Sequence, residues 1–415
     1  MAYENGFFNA HMKILFIHQS FPAQFRHLAA ALVERGHDVT AFCIGGNDVL
    51  GVTRKKYQPS RSSTPNIHPW LVDLETKVIR AEAVLDLALS MRHEGYCPDV
   101  IVAHCGWGES LFIKEVWPTV PLGLYCEFYY QSTGADVNFD PEFIGSAPHN
   151  NAAITLKNIN NRLHFDLADS GITPTAWQQS TFPEPFRQRI KVIHEGVDTQ
   201  YLKPNPLIRL TINDTLQLDK DDEVITFVSR NLEPYRGFHS FMRSLPSILE
   251  ARTNAHVLIV GGDGVSYGAH PPEGFTWKSM LLEELAGQLD LSRIHFLGQI
   301  DYATYVAVLQ LSTVHIYLTY PFVLGWSCVE AMSVGCAIVG SDTAPVQEVI
   351  IHNQTGRLVN FFSPADISMQ IIDLIKDLDE RKRLGENARQ AAIAQFDRNT
   401  ICLPKQVEWV EKKFI

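Results

Sequence analysis

A single carboxylate, Glu330, stands among Cys328, Val329, Ala331 and Met332. Burying a carboxylate among such neighbours is costly unless it finds a partner. Two kinds of partner fit: a cation of the protein, in an ordinary ion pair, or a pair of ligand hydroxyls such as a ribose diol. The pattern predicts a short helix over Trp326–Val334, ended by Gly335, with an extended turn, Pro321–Gly325, before it. Such a turn presents backbone N–H groups and a helix N-terminus to an anion. A diol and a phosphate on one ligand make a nucleotide.

A second group lies in VSRNLEPYRGF, where Arg230 ends an apolar run and Arg236 precedes a helix starting at Phe238. Two guanidiniums at a strand end and a helix start suit a diphosphate, because arginine donates bidentately to phosphate oxygens. Pairing with Glu233 or Asp263 is the other use for them. Gly261, Gly262 and Gly264 follow a further apolar run, where glycine lets backbone approach a ligand or makes a tight turn. The run Phe296–Ile300 offers backbone to a flat base. Other chemistries lack their signatures. HQSFPAQF has no glycine, which sets aside a dinucleotide fingerprint. There is no G-x-x-x-x-G-K-[ST] loop.

These groups need a sheet to hold them. Short apolar runs alternate with helical patterns along the whole chain. In the first half the strands are Lys13–His18, Asp38–Cys43, Asp99–Ala103, Val120–Tyr125, Ser170–Thr173 and Lys191–His194. Helical patterns cover Phe21–Gly36, Trp70–Glu94, Ile159–Ala168 and Pro174–Thr181. In the second half the strands are Val224–Ser229, His256–Val260, Ile294–Leu297, Val314–Tyr320 and Ala337–Gly340. The helices are Phe238–Arg252, Trp277–Leu289, Tyr302–Leu311 and Trp326–Val334. This rhythm predicts an α/β protein of two Rossmann-like, doubly wound domains. His104, Trp107, Gly108 and Glu109 follow one first-half strand; Glu127, Tyr129 and Tyr130 follow the next. Ligands sit at carboxyl ends of parallel strands, so these residues form an expected polar, aromatic wall for a sugar-like acceptor. Asn47–His68, with Arg54, Lys55, Lys56 and Arg61, reads as a solvated loop, with an acceptor or a lipid headgroup as its other use. Pro204–Asp222 reads as the linker, and Ile401–Ile415 as a weakly amphipathic helix.

The 415 residues suit two domains, and a net charge of −11 without a basic stripe argues against nucleic acid. Seven scattered cysteines, none in C-x-x-C spacing, fit reduced thiols in a cytoplasmic protein. No stretch is apolar enough to span a membrane and no signal peptide is apparent. Residues 1–11 read as a lead-in.

Several stretches resemble glycosyltransferase family 4. HEGVDTQYLKP resembles the turn that closes that family's first domain. VSRNLEPYRGF resembles its diphosphate site, which opens on arginine and closes on lysine–glycine; here Arg236 stands for the lysine. Tyr320–Glu348 resembles the donor motif and the strand after it, and LAAALVERGHDVTAFC and ITPTAWQQSTFP are also similar. The resemblance runs over nearly the whole chain from Met12. It implies a GT-B fold: a first domain over 12–203 for the acceptor, a second over 204–396 for the donor, facing across a cleft, and a C-terminal helix over 397–415 crossing back to the first.

It also implies retaining transfer from a nucleotide sugar, most often a UDP-sugar, without a metal or other cofactor. Arg230 and Arg236 would hold the diphosphate and Glu330 the ribose. Phe322, Val323, Leu324 and Gly325, with Gly262, Gly264 and Ile300, would line the donor site. The acceptor would be a saccharide or lipid-linked saccharide in polysaccharide or glycolipid assembly, with transient contact at the inner face of a membrane. Two departures stand out. The first glutamate of the family's Glu-x7-Glu motif is Phe322 here, and the glycine-rich first loop is replaced by Ser20–Gln24. The family's first-domain histidine is replaced by Glu127, with His104 as the other candidate to face the sugar. A donor-binding protein without transfer, and a sugar-nucleotide epimerase, are the alternatives.

Overall fold

Runs such as KILFI and VIVAH have no polar alternation, so they must be covered on both faces. In the computed structural model, which describes residues 11–143 and 150–414, they become the inner strands of parallel sheets. The lead-in lies outside the described residues except for His11. The chain divides into two compact units. Unit 1 comprises residues up to Thr133, Gly145–Glu195 and Cys402–Ile415; unit 2 comprises Gly134–Ile144 and Gly196–Ile401.

The strands of unit 1 are β1 (Lys13–Ile17), β2 (Asp38–Cys43), β3 (Thr53–Lys56), β4 (Val100–His104), β5 (Leu122–Tyr125), β6 (Ser170–Thr173) and β7 (Ile190–Val192). They form one sheet in the order β3-β2-β1-β4-β5-β6-β7, parallel throughout. Unit 2 carries β8 (Arg209–Asn213) and β9 (Leu216–Asp219), then β10 (Val224–Asn231), β11 (His256–Gly262), β12 (Ile294–Gly298), β13 (Val314–Tyr317), β14 (Ile338–Ser341) and β15 (Arg357–Val359). Its main sheet runs β12-β11-β10-β13-β14-β15, again parallel. Both orders reverse direction beside the first strand, between β1 and β4 and between β10 and β13. That is the Rossmann arrangement, present twice in one chain, as the expected GT-B fold requires.

Three expectations change. Thr53–Lys56 is not free loop: it pairs with β2 as an edge strand, and its lysines are exposed there, which suits an edge left to solvent. The expected linker contains a hairpin, β8–β9, paired antiparallel. Its period-2 leucines and isoleucines give it away, since Leu218 is buried with Val224, Leu258 and Leu311. And the units are not one stretch each: the segment Gly134–Ile144 belongs with unit 2.

The helix Leu403–Glu411 packs in unit 1. Its Trp409 donates Nε1–H to Ser170 Oγ at 3.2 Å, Gln406 donates to the His194 carbonyl at 3.0 Å, and Glu411 takes Arg35 at 2.6 and 3.0 Å. Room for it comes from Gly123 on β5, where a Cβ would lie 2.6 Å from the Trp409 ring and closer still to Phe414. All seven cysteines are free, and six are buried. Among the described residues no helix is long and apolar enough to cross a membrane.

Gly123→Ala should therefore overpack this face and cost about 1–3 kcal/mol. Gly45→Ala, with nothing within 4 Å of the new methyl, should cost little. Thermal melts of the two variants beside the parent check this; equal melting temperatures would refute the packing role of Gly123.

Candidate active site

At the switch point of unit 2, β10 ends on Arg230 and Asn231, and the chain turns through Pro234–Arg236 into the helix Phe238–Ala251. Gly237 joins them at φ +70°, and a side chain there would strike Leu318. Arg230 is exposed and makes no hydrogen bond or ion pair among the described residues. Arg236 is half-buried. Its Nη1 donates to Thr319 Oγ1 at 2.7 Å and to the Val323 carbonyl at 3.2 Å, so one edge of the guanidinium is braced against the turn after β13. Neither arginine pairs with Glu233 or Asp263. The Glu233 carboxylate takes the backbone N–H groups of Ser266, Tyr267 and Gly268 at 3.0–3.2 Å, and Asp263 takes Lys278 at 2.6 Å.

That turn leads into the helix Trp326–Val334. No side chain caps its first turn; Cys328 N–H bonds the Gly325 carbonyl at 3.2 Å, and the Trp326 and Ser327 N–H groups make no hydrogen bond among the described residues. Gly325 N–H donates to the Tyr317 hydroxyl at 2.7 Å, which fixes the entry angle. Phe322, Val323 and Leu324 are all buried, so the turn offers backbone and no polar side chain. Phe322 packs edge-on against Tyr235, with ring centroids 5.3 Å apart. Gly262 and Gly264 close on Asn231: a Cβ on Gly262 would lie 2.7 Å from Asn231 Oδ1 and 2.9 Å from Gln299 Nε2. The side chain of Ile300 packs into the apolar cores of unit 2, leaving only its backbone for a base.

Glu330 makes no ion pair among the described residues; its partners in the chain are two phenols. Tyr302 donates to Oε1 at 2.8 Å and Tyr305 to Oε2 at 2.6 Å. Burial pushes its pKa up, against the pull of the two phenols. Each carboxylate oxygen accepts two hydrogen bonds, so both retain a lone pair for a diol. Tyr302 is half exposed and stacks on Tyr201, ring centroids 6.0 Å apart. Sequence reasoning missed both phenols; the signal was tyrosines at i and i+3 on the preceding helix.

Unit 1 has its own switch-point cluster. His18 follows β1, His104 ends β4 and Glu127 follows β5. His104 is buried between Trp107 and Tyr125, at 5.6 and 5.3 Å, and meets His18 edge-on at 5.2 Å. Its Nδ1 accepts Gly106 N–H at 3.1 Å, which leaves Nε2 facing Glu127 Oε2 at 3.7 Å. Burial lowers His104 well below the ordinary histidine value and His18 to about 4, so both are neutral near pH 7. The rest of the expected wall thins out. Glu109 is buried and bonded to Tyr57 at 2.8 Å, and Tyr129 packs with Phe165 and Phe182 in the core. Tyr125 instead donates to buried Glu195, a pair not foreseen.

Residues 35–202 match the model of the Glycosyl transferase family 4 group, and residues 209–391 that of the Glycosyl transferases group 1. The chain belongs to the group 1 glycosyltransferases. An uncharacterised glycosyltransferase of Methanocaldococcus jannaschii is 36% identical over 117 residues, 28% of this chain and 30% of that one. The N-acetyl-alpha-D-glucosaminyl L-malate synthase of Bacillus anthracis is 23% identical over 382 residues, 89% of this chain and 88% of that one. Several further curated relatives are matched over about half of their length. The solved Anabaena protein Alr3699/HepE in complex with UDP-glucose is similar in fold at TM-score 0.69 and 17% identity, over 97% of this chain and 100% of that one.

For this glycosyltransferase the raised pKa of Glu330 has a consequence for stability. Its folded-state value lies above its unfolded one, so its contribution is intact in acid and is lost as pH rises through the folded value. Glu330→Gln should therefore raise the melting temperature near neutral pH, with the gain fading below about pH 4. Melts from acid to neutral pH check this; a variant less stable at neutral pH would refute it.

Proposed function

We propose that this chain moves a sugar, with retention, from a nucleoside-diphosphate donor of the UDP type to a saccharide or lipid-linked saccharide, without a metal. The observation that carries the reading is Arg236: a guanidinium braced on Thr319 and Val323 beside an uncapped helix N-terminus, at a topological switch point. Arg230 adds a second, unpaired cation at the same strand end. Glu330, held by two phenols, suits the ribose diol. The UDP choice leans on the Anabaena protein, whose structure is a UDP-glucose complex.

In the proposed step the bond from the sugar's anomeric carbon to the diphosphate breaks, and the acceptor oxygen bonds that carbon on the same face. The acceptor's proton passes to a diphosphate oxygen. Charge grows on the leaving group, where Arg230, Arg236 and the helix N–H groups oppose it. His104 and Glu127 orient the acceptor; a neutral His104 with its Nε2 toward Glu127 suits a hydroxyl contact. The setting is polysaccharide or glycolipid assembly. The apolar Phe322 favours one other reading, a protein that binds a nucleotide sugar without transferring it.

Thermal-shift titration with UDP, GDP, ADP and CMP tests the donor. A nucleotide at 100-fold its Kd should add about 2.7 kcal/mol of stability by mass action. UDP should stabilise the parent, and the response should vanish in Glu330→Ala. With a donor and acceptor in hand, Arg236→Ala should lower turnover about 100- to 1000-fold. Full activity in Arg236→Ala would refute the diphosphate assignment. Donor binding with no turnover on any acceptor would leave the non-transferring reading.

A further inference from the structure

The turn Phe322–Gly325 offers a bound donor only backbone and buried apolar side chains, so hydroxyls of a sugar beyond the diphosphate must find a polar partner elsewhere. One stands beside it. Tyr267 lies in the loop after β11, its ring centroid 5.1 Å from that of Phe322 and 5.3 Å from the Arg236 guanidinium carbon. It is 41% exposed, and its hydroxyl makes no hydrogen bond among the described residues.

This tyrosine is held, not loose. The N–H groups of Ser266, Tyr267 and Gly268 converge on Glu233, at 3.0–3.2 Å. Glu233 is 1% exposed. Asn231 adds a bond from Nδ2 to Ser266 Oγ at 2.8 Å. Glu233 and Asn231 sit in the same short stretch that carries Arg230 and Arg236. The stretch that offers cations to a diphosphate therefore also fixes the loop that offers a phenol beside it. A buried carboxylate taking three backbone N–H groups is a strong, charge-assisted anchor.

We propose that Tyr267 is a specificity-determining residue for the donor's sugar, its phenol hydroxyl hydrogen-bonding a sugar hydroxyl while its ring lies on Arg236. The inference rests on the proposed nucleotide-sugar site. A phenol both donates and accepts, so it suits a neutral hexose hydroxyl of either orientation. The contact exists only when the sugar is present, so it separates a nucleotide sugar from its free nucleotide.

The test is the affinity of Tyr267→Phe for UDP and for UDP-glucose, UDP-galactose and UDP-N-acetylglucosamine, by calorimetry against the parent. The phenylalanine keeps the ring against Arg236 and Phe322, so the fold is retained; an unchanged melting temperature checks that. At least one UDP-sugar should bind more weakly, about tenfold for the loss of a hydrogen bond of ordinary strength, while UDP affinity is unchanged. Equal affinity for every UDP-sugar in parent and variant would overturn the proposal. Equal weakening of UDP and UDP-sugars would also overturn it, since Tyr267 would then only support Arg236. Failure of the parent to bind UDP or any UDP-sugar would overturn the UDP-type donor on which this inference rests and this inference with it, whereas UDP binding with an indifferent Tyr267→Phe would overturn this inference alone.

Discussion

Two neighbouring parallel strands whose connections leave in opposite directions cannot have the gap at their carboxyl ends filled by backbone. This constraint governs each unit of the chain. In unit 1 it falls between β1 and β4, and in unit 2 between β10 and β13. At those ends the sequence places His18 and His104 in one unit, and Arg230 and the Tyr320–Gly325 turn in the other. The hydrophobic runs that build the sheets decide where chemistry can occur. The turn residues decide which chemistry it is.

A second theme is how the chain buries negative charge. Its buried carboxylates repeatedly meet tyrosine hydroxyls. Glu330 has Tyr302 and Tyr305, Glu109 has Tyr57, Glu195 has Tyr125, Asp136 has Tyr235 and Asp140 has Tyr320. A phenol satisfies an anion without the desolvation of a second ion, which is often what makes a buried ion pair break even. The consequence differs with what else is near. Burial pushes Glu109 and Glu330 up. Burial also works against Asp140, but His239 at 3.0 Å and the Tyr320 phenol hold it below its ordinary value. Both meet phenols, yet burial wins at Glu330 and the histidine beside Asp140 tips the balance the other way.

The periodicity of the chain was enough for the fold. Helices Tyr302–Leu311 and Trp326–Val334 lie where the pattern put them, because apolar residues and the glycine stop agree. The strand ends differ by up to three residues; after Tyr317, for example, the apolar run continues three residues past the end of the strand. Misreadings came where one signal outweighed another. Two prolines and many polar residues hid the alternating Leu210, Ile212, Leu216 and Leu218 of the hairpin. Arg54, Lys55 and Lys56 concealed an edge strand, where charge is a common companion of exposed pairing groups. The partners of Glu330 showed only as two tyrosines three residues apart on the preceding helix, and those of Glu233 were not legible at all. One is bound by phenols 28 and 25 residues away and the other by backbone 33–35 residues away, and a single sequence carries no record of such pairings.

The segment Gly134–Ile144 shows the same limit in another form. Its acidic residues look like surface charge between two stretches of unit 1. Their side chains are spent in unit 2. Asp140 is buried against His239 and Tyr320, and Glu142 shares Arg243 with Glu284 through paired bonds of 2.6–2.9 Å. Phe139 lies within 5.0–5.3 Å of Tyr320, Phe361 and Phe362. Tyr320 is where this cluster meets the functional turn. Its ring stacks 4.6 Å from Tyr235, which in turn packs against Phe322. Tyr320 and Phe322, the aromatic residues of this turn, are therefore not idle. They continue a packed cluster from Phe139 to Tyr267, whose ring lies 5.3 Å from the Arg236 guanidinium carbon.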